Sequence, residues 1–164
     1  MPTIRLTTHI AAPVERCFDL ARSIDLHAQS LTRSGERAIG GVTAGLIGPG
    51  ESVTWQAMHF GVRQRLTSRI TAYDRPRHFR DSMVRGAFRR FDHDHHFEPD
   101  GHGQTVLRDV FDFEAPLGPL GRLAEATFLT RYMRRRLAER NAVLKQVAES
   151  EAWGAFLDVG TRAG

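Results

Sequence analysis

Six short extended segments in a row, followed by one long amphipathic helix, constrain this chain more than any other feature of its sequence. Residues 52–60 and 62–73 form two extended runs around Gly61, and further runs occupy 78–84, 88–98 and 104–113, with a shorter one at 37–40. Strands joined by connections this short pair antiparallel. An antiparallel sheet has an apolar face that must be covered. The one segment long enough to cover it is 123–149. Its apolar positions include Phe128, Leu129, Tyr132, Met133, Leu137, Leu144, Val147 and Ala148, which predict a single helical stripe. At about 1.5 Å per residue such a helix spans roughly 40 Å.

The N-terminal part completes the pattern. Residues 3–10 predict a first strand, which Ala11, Ala12 and Pro13 end. Pro13 suits the start of a helix over 14–21 that shows Val14, Cys17, Phe18 and Ala21 on one face. Ser23 is placed to cap a second short helix over 25–32. Gly40, Gly41, Gly45, Gly48 and Gly50 read as a connection without the GxGxxG order of a phosphate loop. Pro116, Gly118, Pro119 and Gly121 break the pattern before the long helix. The expected architecture is α+β, in the order β-α-α-β6-α. Residues 1–150 form the domain and 151–164 a C-terminal tail in which Trp153, Phe156 and Leu157 can dock.

Composition narrows the class. Hydrophobic residues at 41% against 26% charged make a folded domain rather than a disordered chain. A single cysteine excludes a disulfide scaffold, and Cys17 sits on an apolar helix face as a core residue. No apolar run approaches the roughly 20 residues that span a bilayer, so no integral membrane protein is expected. The opening MPTIRLTTHI has no apolar stretch of a signal peptide, so the cytoplasm is the expected compartment. The net charge is +4. The densest basic run, Arg134, Arg135 and Arg136 with Arg131 and Arg140 nearby, is diluted by Glu139 and Glu149. It reads as a solvated helix face, and nucleic acid is not an expected partner.

Strand alternation predicts which side chains face inward. Val53, Trp55, Ala57 and His59 share one face. On the next strand Gln64, Leu66, Ser68 and Ile70 oppose Arg63, Arg65 and Arg69, and three unpaired arginines cannot line a core. The same reasoning turns Phe79, Asp81 and Met83 inward, then Phe91, His93, His95 and Phe97, then Leu107, Asp109, Phe111 and Phe113. Tyr132, Met133 and Leu137 of the long helix close the other side. If the sheet curls, the space enclosed is a pocket with apolar walls and a polar minority of His59, Gln64, Ser68, Asp81, His93, His95 and Asp109. Buried carboxylates need partners, so an aspartate–histidine network across neighbouring strands is expected, with the Tyr132 hydroxyl near it.

The opening TIRLTTHIAAPVERCFDLARSIDLH, with Ala12-Pro13, Val14-Glu15 and Phe18-Asp19-Leu20, resembles START-like, Bet v 1-like proteins. This superfamily is also called SRPBCC, or polyketide cyclase/dehydrase-like. The segments at 45–99 and 103–145 resemble an uncharacterised bacterial branch of it, some members of which are loosely labelled cell-division inhibitors. The resemblance covers about residues 3–150. It implies a helix-grip fold, in which a curved antiparallel sheet wraps a long C-terminal helix around a mostly apolar cavity. It also implies binding of a lipid- or polyketide-like molecule, and in some members cyclisation or dehydration.

The expected function is binding of a small, mostly hydrophobic ligand. The candidate ligand-binding residues are Trp55, His59, Gln64, Leu66, Ser68, Phe79, Asp81, Met83, Phe91, Phe97, Leu107, Phe111, Tyr132, Met133 and Leu137. An alternative is a polyketide cyclase/dehydratase-type enzyme in which His93, His95 and Asp109 act as general acid and base. Whether the chain is an enzyme stays open at this point. A third reading is an interaction protein with a collapsed cavity and the Gly-rich 40–50 loop at an interface; Trp153 either anchors the tail or serves a homodimer contact. His93 and His95 are spaced to hold a metal with Asp81 or Asp109. Such spacing is common by chance, and with no HExxH motif and no cysteine pair neither a metal nor a cofactor is expected.

Overall fold

The computed structural model describes residues 2–157. Strand β1 (Thr3–Ile10) is followed by helices α1 (Val14–Ala21) and α2 (Ile24–Ser30). Six strands come next: β2 (Arg37–Gly41), β3 (Ser52–His59), β4 (Val62–Asp74), β5 (His78–Arg85), β6 (Arg90–Pro99) and β7 (Thr105–Glu114). Helix α3 (Pro119–Ala124) continues through one widened turn (Glu125–Leu129) into α4 (Thr130–Ala148), and α5 (Gly154–Leu157) ends the described chain. All seven strands form one antiparallel sheet in the order β1-β7-β6-β5-β4-β3-β2. Strands β2 to β7 are a simple meander, and β1 pairs beside β7 at the far edge. This is the helix-grip α+β architecture, a curved sheet around the C-terminal helix.

The local chemistry explains the element ends. The Ser23 hydroxyl accepts the Leu26 amide at 3.2 Å and so caps α2. Phe18 projects from α1 into the sheet, edge-on to Tyr73, Phe79 and Phe97 at ring distances of 5.4–5.5 Å. It forms one apolar cluster with Cys17, Leu107 and Leu144. A second cluster gathers Ile4, Phe91, Phe111, Phe113 and Leu137. Helix α4 packs most closely on β1, α1 and α2. Asn141 donates to the Thr8 hydroxyl, Arg140 to the Ala21 carbonyl and Lys145 to the His9 carbonyl. The helix is therefore anchored along one edge of the sheet.

The helix start differs from the expectation. It begins at Pro119 rather than near 123, because Leu117 and Gly118 take positive φ and deliver Pro119 to the first helical position, where its missing N–H costs nothing. The widened turn then rotates the stripe. Phe128, expected to be buried, is 50% exposed and stands edge-on to Phe60 at 5.6 Å. The Thr130 hydroxyl bonds the Glu125 carbonyl across this turn, and the buried Glu125 carboxylate accepts the Ala115 amide at 2.6 Å. In the tail, Trp153 lies under the Arg16 guanidinium at 4.3 Å, and Phe156 and Leu157 pack on the first cluster. The expected tail beyond Leu157 lies outside the described residues.

Two stability predictions follow from these contacts. A Cβ on Gly121 would sit 2.1 Å from the Pro116 carbonyl oxygen, a backbone atom that cannot rotate away. Gly121→Ala should lower the urea-unfolding free energy by about 1–3 kcal/mol. Asp19 accepts from Arg22 at 2.9 Å and from Arg75 at 2.6 Å, tying α1 to the β4–β5 turn. Burial would raise its carboxyl, but the two guanidinium groups outweigh burial and hold it below the ordinary value. A depressed carboxylate adds stability above its unfolded value and loses it as the pH falls through the folded one. Arg75→Ala should therefore cost about 0.5–1 kcal/mol at neutral pH, with the difference shrinking on acidification in a pH series of urea melts.

Candidate functional site

Because α4 sits against the β1 edge, the concave face of β3 to β6 is not filled from above. A cavity of about 430 Å³ remains between them. Its walls include Val53, Trp55 and Ala57 of β3, Leu66 and Ile70 of β4, Phe79 of β5, Phe91 of β6 and Phe111 of β7. Met133 and Leu137 of α4 face them, and Phe60, Leu117, Leu120 and Phe128 stand at the rim.

One polar cluster is set into this apolar wall. The strand register places Asp81 opposite His93 and His95 opposite Asp109. The hydrogen bonds run across these pairs. His93 Nε2 donates to Asp109 Oδ1 at 2.9 Å, and His95 Nε2 donates to Asp81 Oδ1 at 3.0 Å. His95 Nδ1 also comes within 2.9 Å of Asp109 Oδ1, but too poorly aligned for a hydrogen bond. The two imidazoles lie 3.8 Å apart, His95 stacks on Phe79, and His93 is edge-on to Phe111. The cluster thus joins the two apolar cores. From α4, Asn141 Nδ2 donates to Asp109 Oδ2 at 2.6 Å, and Arg140 Nη1 lies 3.7 Å from Asp109 Oδ1.

Burial alone would raise the Asp109 carboxyl. The histidine contacts outweigh it and hold the group well below the ordinary value, so Asp109 is ionised. Asp81 is depressed in the same way, against burial, chiefly by His95 and His93. Burial, and then the neighbouring His95, push His93 below the ordinary imidazole value, so its ring is neutral near neutral pH.

The structure brings Asp81, His93, His95 and Asp109 together as one network. Trp55, His59, Gln64, Leu66, Ser68, Phe79, Phe91, Phe111, Tyr132, Met133 and Leu137 line the cavity with them. Four expectations need correction. Phe97 and Leu107 share the inward face but lie under α1, in the closed core around Phe18, and are no part of the cavity wall. Met83 packs with the second cluster, beside Leu66 and Phe88, and also lies off the wall. Asp109, 1% exposed, stands behind the two imidazoles rather than facing the space. The Tyr132 hydroxyl shares a hydrogen bond of 2.7 Å with His59 Nδ1 instead of joining the network.

Several wall residues escaped the sequence reading. Arg136 and Arg140, read from the sequence as part of a solvated face, line the cavity, Arg140 buried and Arg136 largely covered. Arg136 and His27 both bond Glu36, and His27 stacks on Trp55 at 4.3 Å. This holds Glu36 below the ordinary value although burial would raise it. A signal for the arginines existed. Positions 133, 136, 137, 140 and 144 fall on one helical stripe, and two guanidinium groups within it mark a polar cavity wall rather than solvent.

No curated protein matches the chain in sequence. Among solved structures, the Thermus thermophilus protein TTHA0849 superposes with a TM-score of 0.71 at 20% identity, over 88% of this chain and 95% of that one. A START superfamily protein from Mycobacterium smegmatis gives 0.65 at 14% identity, over 88% and 98%. Major latex-like protein 151 from Panax ginseng gives 0.65 at 16% identity, over 91% and 98%. At these identities the likeness is one of fold. The sequence profile described as "Polyketide cyclase / dehydrase and lipid transport" matches residues 1–149. The chain therefore belongs to that family, within the START-like, Bet v 1-like superfamily.

Proposed function

We propose that this protein binds a small, largely apolar molecule in the cavity, with the polar end of the molecule against the His/Asp cluster and Arg140. One observation carries the reading: a cavity of about 430 Å³ has mostly apolar walls with the buried His/Asp cluster set into them. The space opens between the exposed Phe60, Leu117, Leu120 and Phe128, so water can enter it, and its mostly apolar walls favour exchange of that water for apolar surface. Arg140 Nη1 is buried without a hydrogen-bond partner among the described residues, and Arg140 lines the cavity. The polar end that suits it carries an oxygen acceptor, such as a carboxylate, carbonyl or hydroxyl. The family's description names lipid transport, which agrees with an occupant of this kind.

The acid–base reading of the same residues has less room. Three of the four ring nitrogens, His93 Nε2 and both of His95, lie within 3.0 Å of a carboxylate oxygen. Only His93 Nδ1 is left to exchange a proton with a bound molecule. Binding is therefore the function the geometry supports best.

Native mass spectrometry of the purified chain should show added mass that is lost on denaturation. 1-Anilinonaphthalene-8-sulfonate should bind saturably with enhanced emission. Ala57 is a buried wall residue of β3, and Ala57→Phe adds a ring to the space. It should weaken the probe by about tenfold or more, the scale set by a few apolar contacts, with circular dichroism unchanged. Absence of both added mass and saturable binding, or a folded Ala57→Phe variant that binds as wild type, would overturn the reading.

A further inference from the structure

We propose that Asp81, His93 and His95 form a site for one divalent first-row metal ion, of the zinc type, set in the cavity wall. The proposal stands apart from the ligand reading, since it concerns the cluster's own donor atoms. One ligand atom from each residue lies within 4.8 Å of the others. Asp81 Oδ1 is 3.0 Å from His95 Nε2 and 3.8 Å from His93 Nδ1. Ligands held at about 2.1 Å from a metal stand roughly 3.0 Å apart at right angles and roughly 3.4 Å apart at tetrahedral angles. Small side-chain shifts bring these three atoms onto one ion. Two imidazoles and one carboxylate are a donor set of the first-row divalent ions.

The second layer points the same way. Asp109 Oδ1 stands 2.9 Å from His93 Nε2 and 2.9 Å from His95 Nδ1, behind both rings. Asp109 takes the rear N–H of His93 and so turns the His93 Nδ1 lone pair forward, as in carboxylate–histidine–metal sites, while His95 Nδ1 lies close to the same oxygen but out of line with it. Asn141 and Arg140 in turn hold Asp109.

The present contacts are also frustrated. With Nε2 protonated, the Nδ1 lone pair of His95 faces Asp109; with Nδ1 protonated, its Nε2 lone pair faces Asp81. Each neutral tautomer therefore leaves a lone pair against a carboxylate oxygen within 3.0 Å. A second proton on the ring removes that conflict, and so does a metal cation among the front atoms, which in addition gives His93 Nδ1 a partner. Charge agrees. Asp81 and Asp109 bring two negative charges, Arg140 offsets one, and a buried excess of one favours a cation. Three protein ligands leave further positions open toward the cavity, where water or an oxygen of the occupant can complete the shell.

A second cluster, His78, Asp94 and His96, lies on the opposite face of the same strands. There Arg80 already donates to both Asp94 oxygens at 2.8 Å, and His78 bonds one of them at 2.7 Å. The cation's place is taken, so this cluster serves as the internal control.

The test is a titration of the untagged, full-length, chelator-treated chain with Co²⁺, followed by visible absorption, then displacement by Zn²⁺. The expected result is one ion per chain with bands of a low-symmetry site, lost on adding Zn²⁺. Asp81→Asn and His95→Gln, checked for folding by circular dichroism, should weaken the affinity by about tenfold or more, at least what loss of a supporting group costs. His96→Ala should leave it unchanged. No saturable Co²⁺ spectrum, full binding by folded Asp81→Asn, or loss of binding in His96→Ala would overturn the proposal. A chain that binds Co²⁺ but no apolar probe would keep the metal site and remove the ligand reading; the converse would do the reverse.

Discussion

A carboxylate buried to 1% exposure must be surrounded by donors, and Asp109 is the point where this protein meets that demand. Its donors come from two layers. His93 belongs to the neighbouring strand and Asn141 to the long helix, which also sets the Arg140 guanidinium 3.7 Å from the carboxylate. One side chain therefore sets both the seat of the helix and the direction of the imidazoles. Taking one partner from a buried charged group typically costs about 3–5 kcal/mol, more than any single exposed ion pair in the molecule can supply. The rest of the architecture is arranged around keeping this group satisfied.

Seating α4 on Asp109, Thr8 and the Ala21 carbonyl places it over the β7–β1 edge. The opposite half of the concave sheet is then too far from the helix for side chains to fill the gap. Trp55, Leu66 and Phe79 face a space instead of a partner helix. The widened turn after α3 carries Phe128 outward to meet Phe60, so the rim is apolar as well as the wall. Fold, cavity and polar cluster are consequences of one placement. The family's description, polyketide cyclase/dehydrase and lipid transport, is compatible with such a space.

Much of this was legible before any coordinates. Period-two alternation separated His93 and His95 from Asp94 and His96, because exposing the aromatics of one face would cost more than exposing the charges of the other. The errors have a common cause. Phe97 and Leu107 have the same inward parity as His95 and Asp109, and parity does not say whether α1 or empty space lies above a residue. Arg136 and Arg140 were lost because a guanidinium on a helix is usually solvated; here Glu36, the Ala21 carbonyl and Asp109 supply partners from distant parts of the chain. Pro119 was taken as a breaker because a proline that starts a helix and one that prevents it look alike until the φ angles before it are known.

What the sequence by itself determined was local and periodic: seven strands, the two small helices, the long helix, and the sheet face that carries Asp81, His93, His95 and Asp109. These follow from backbone sterics and from the sorting of apolar from charged groups within a few residues. What only the tertiary structure decided was long-range. It set which histidine nitrogen meets which carboxylate, that Asp109 stands behind rather than beside the cavity, and that α4 leans to one edge. Those outcomes depend on contacts between residues 14 to 133 positions apart, and no periodicity along the chain encodes a distance across it.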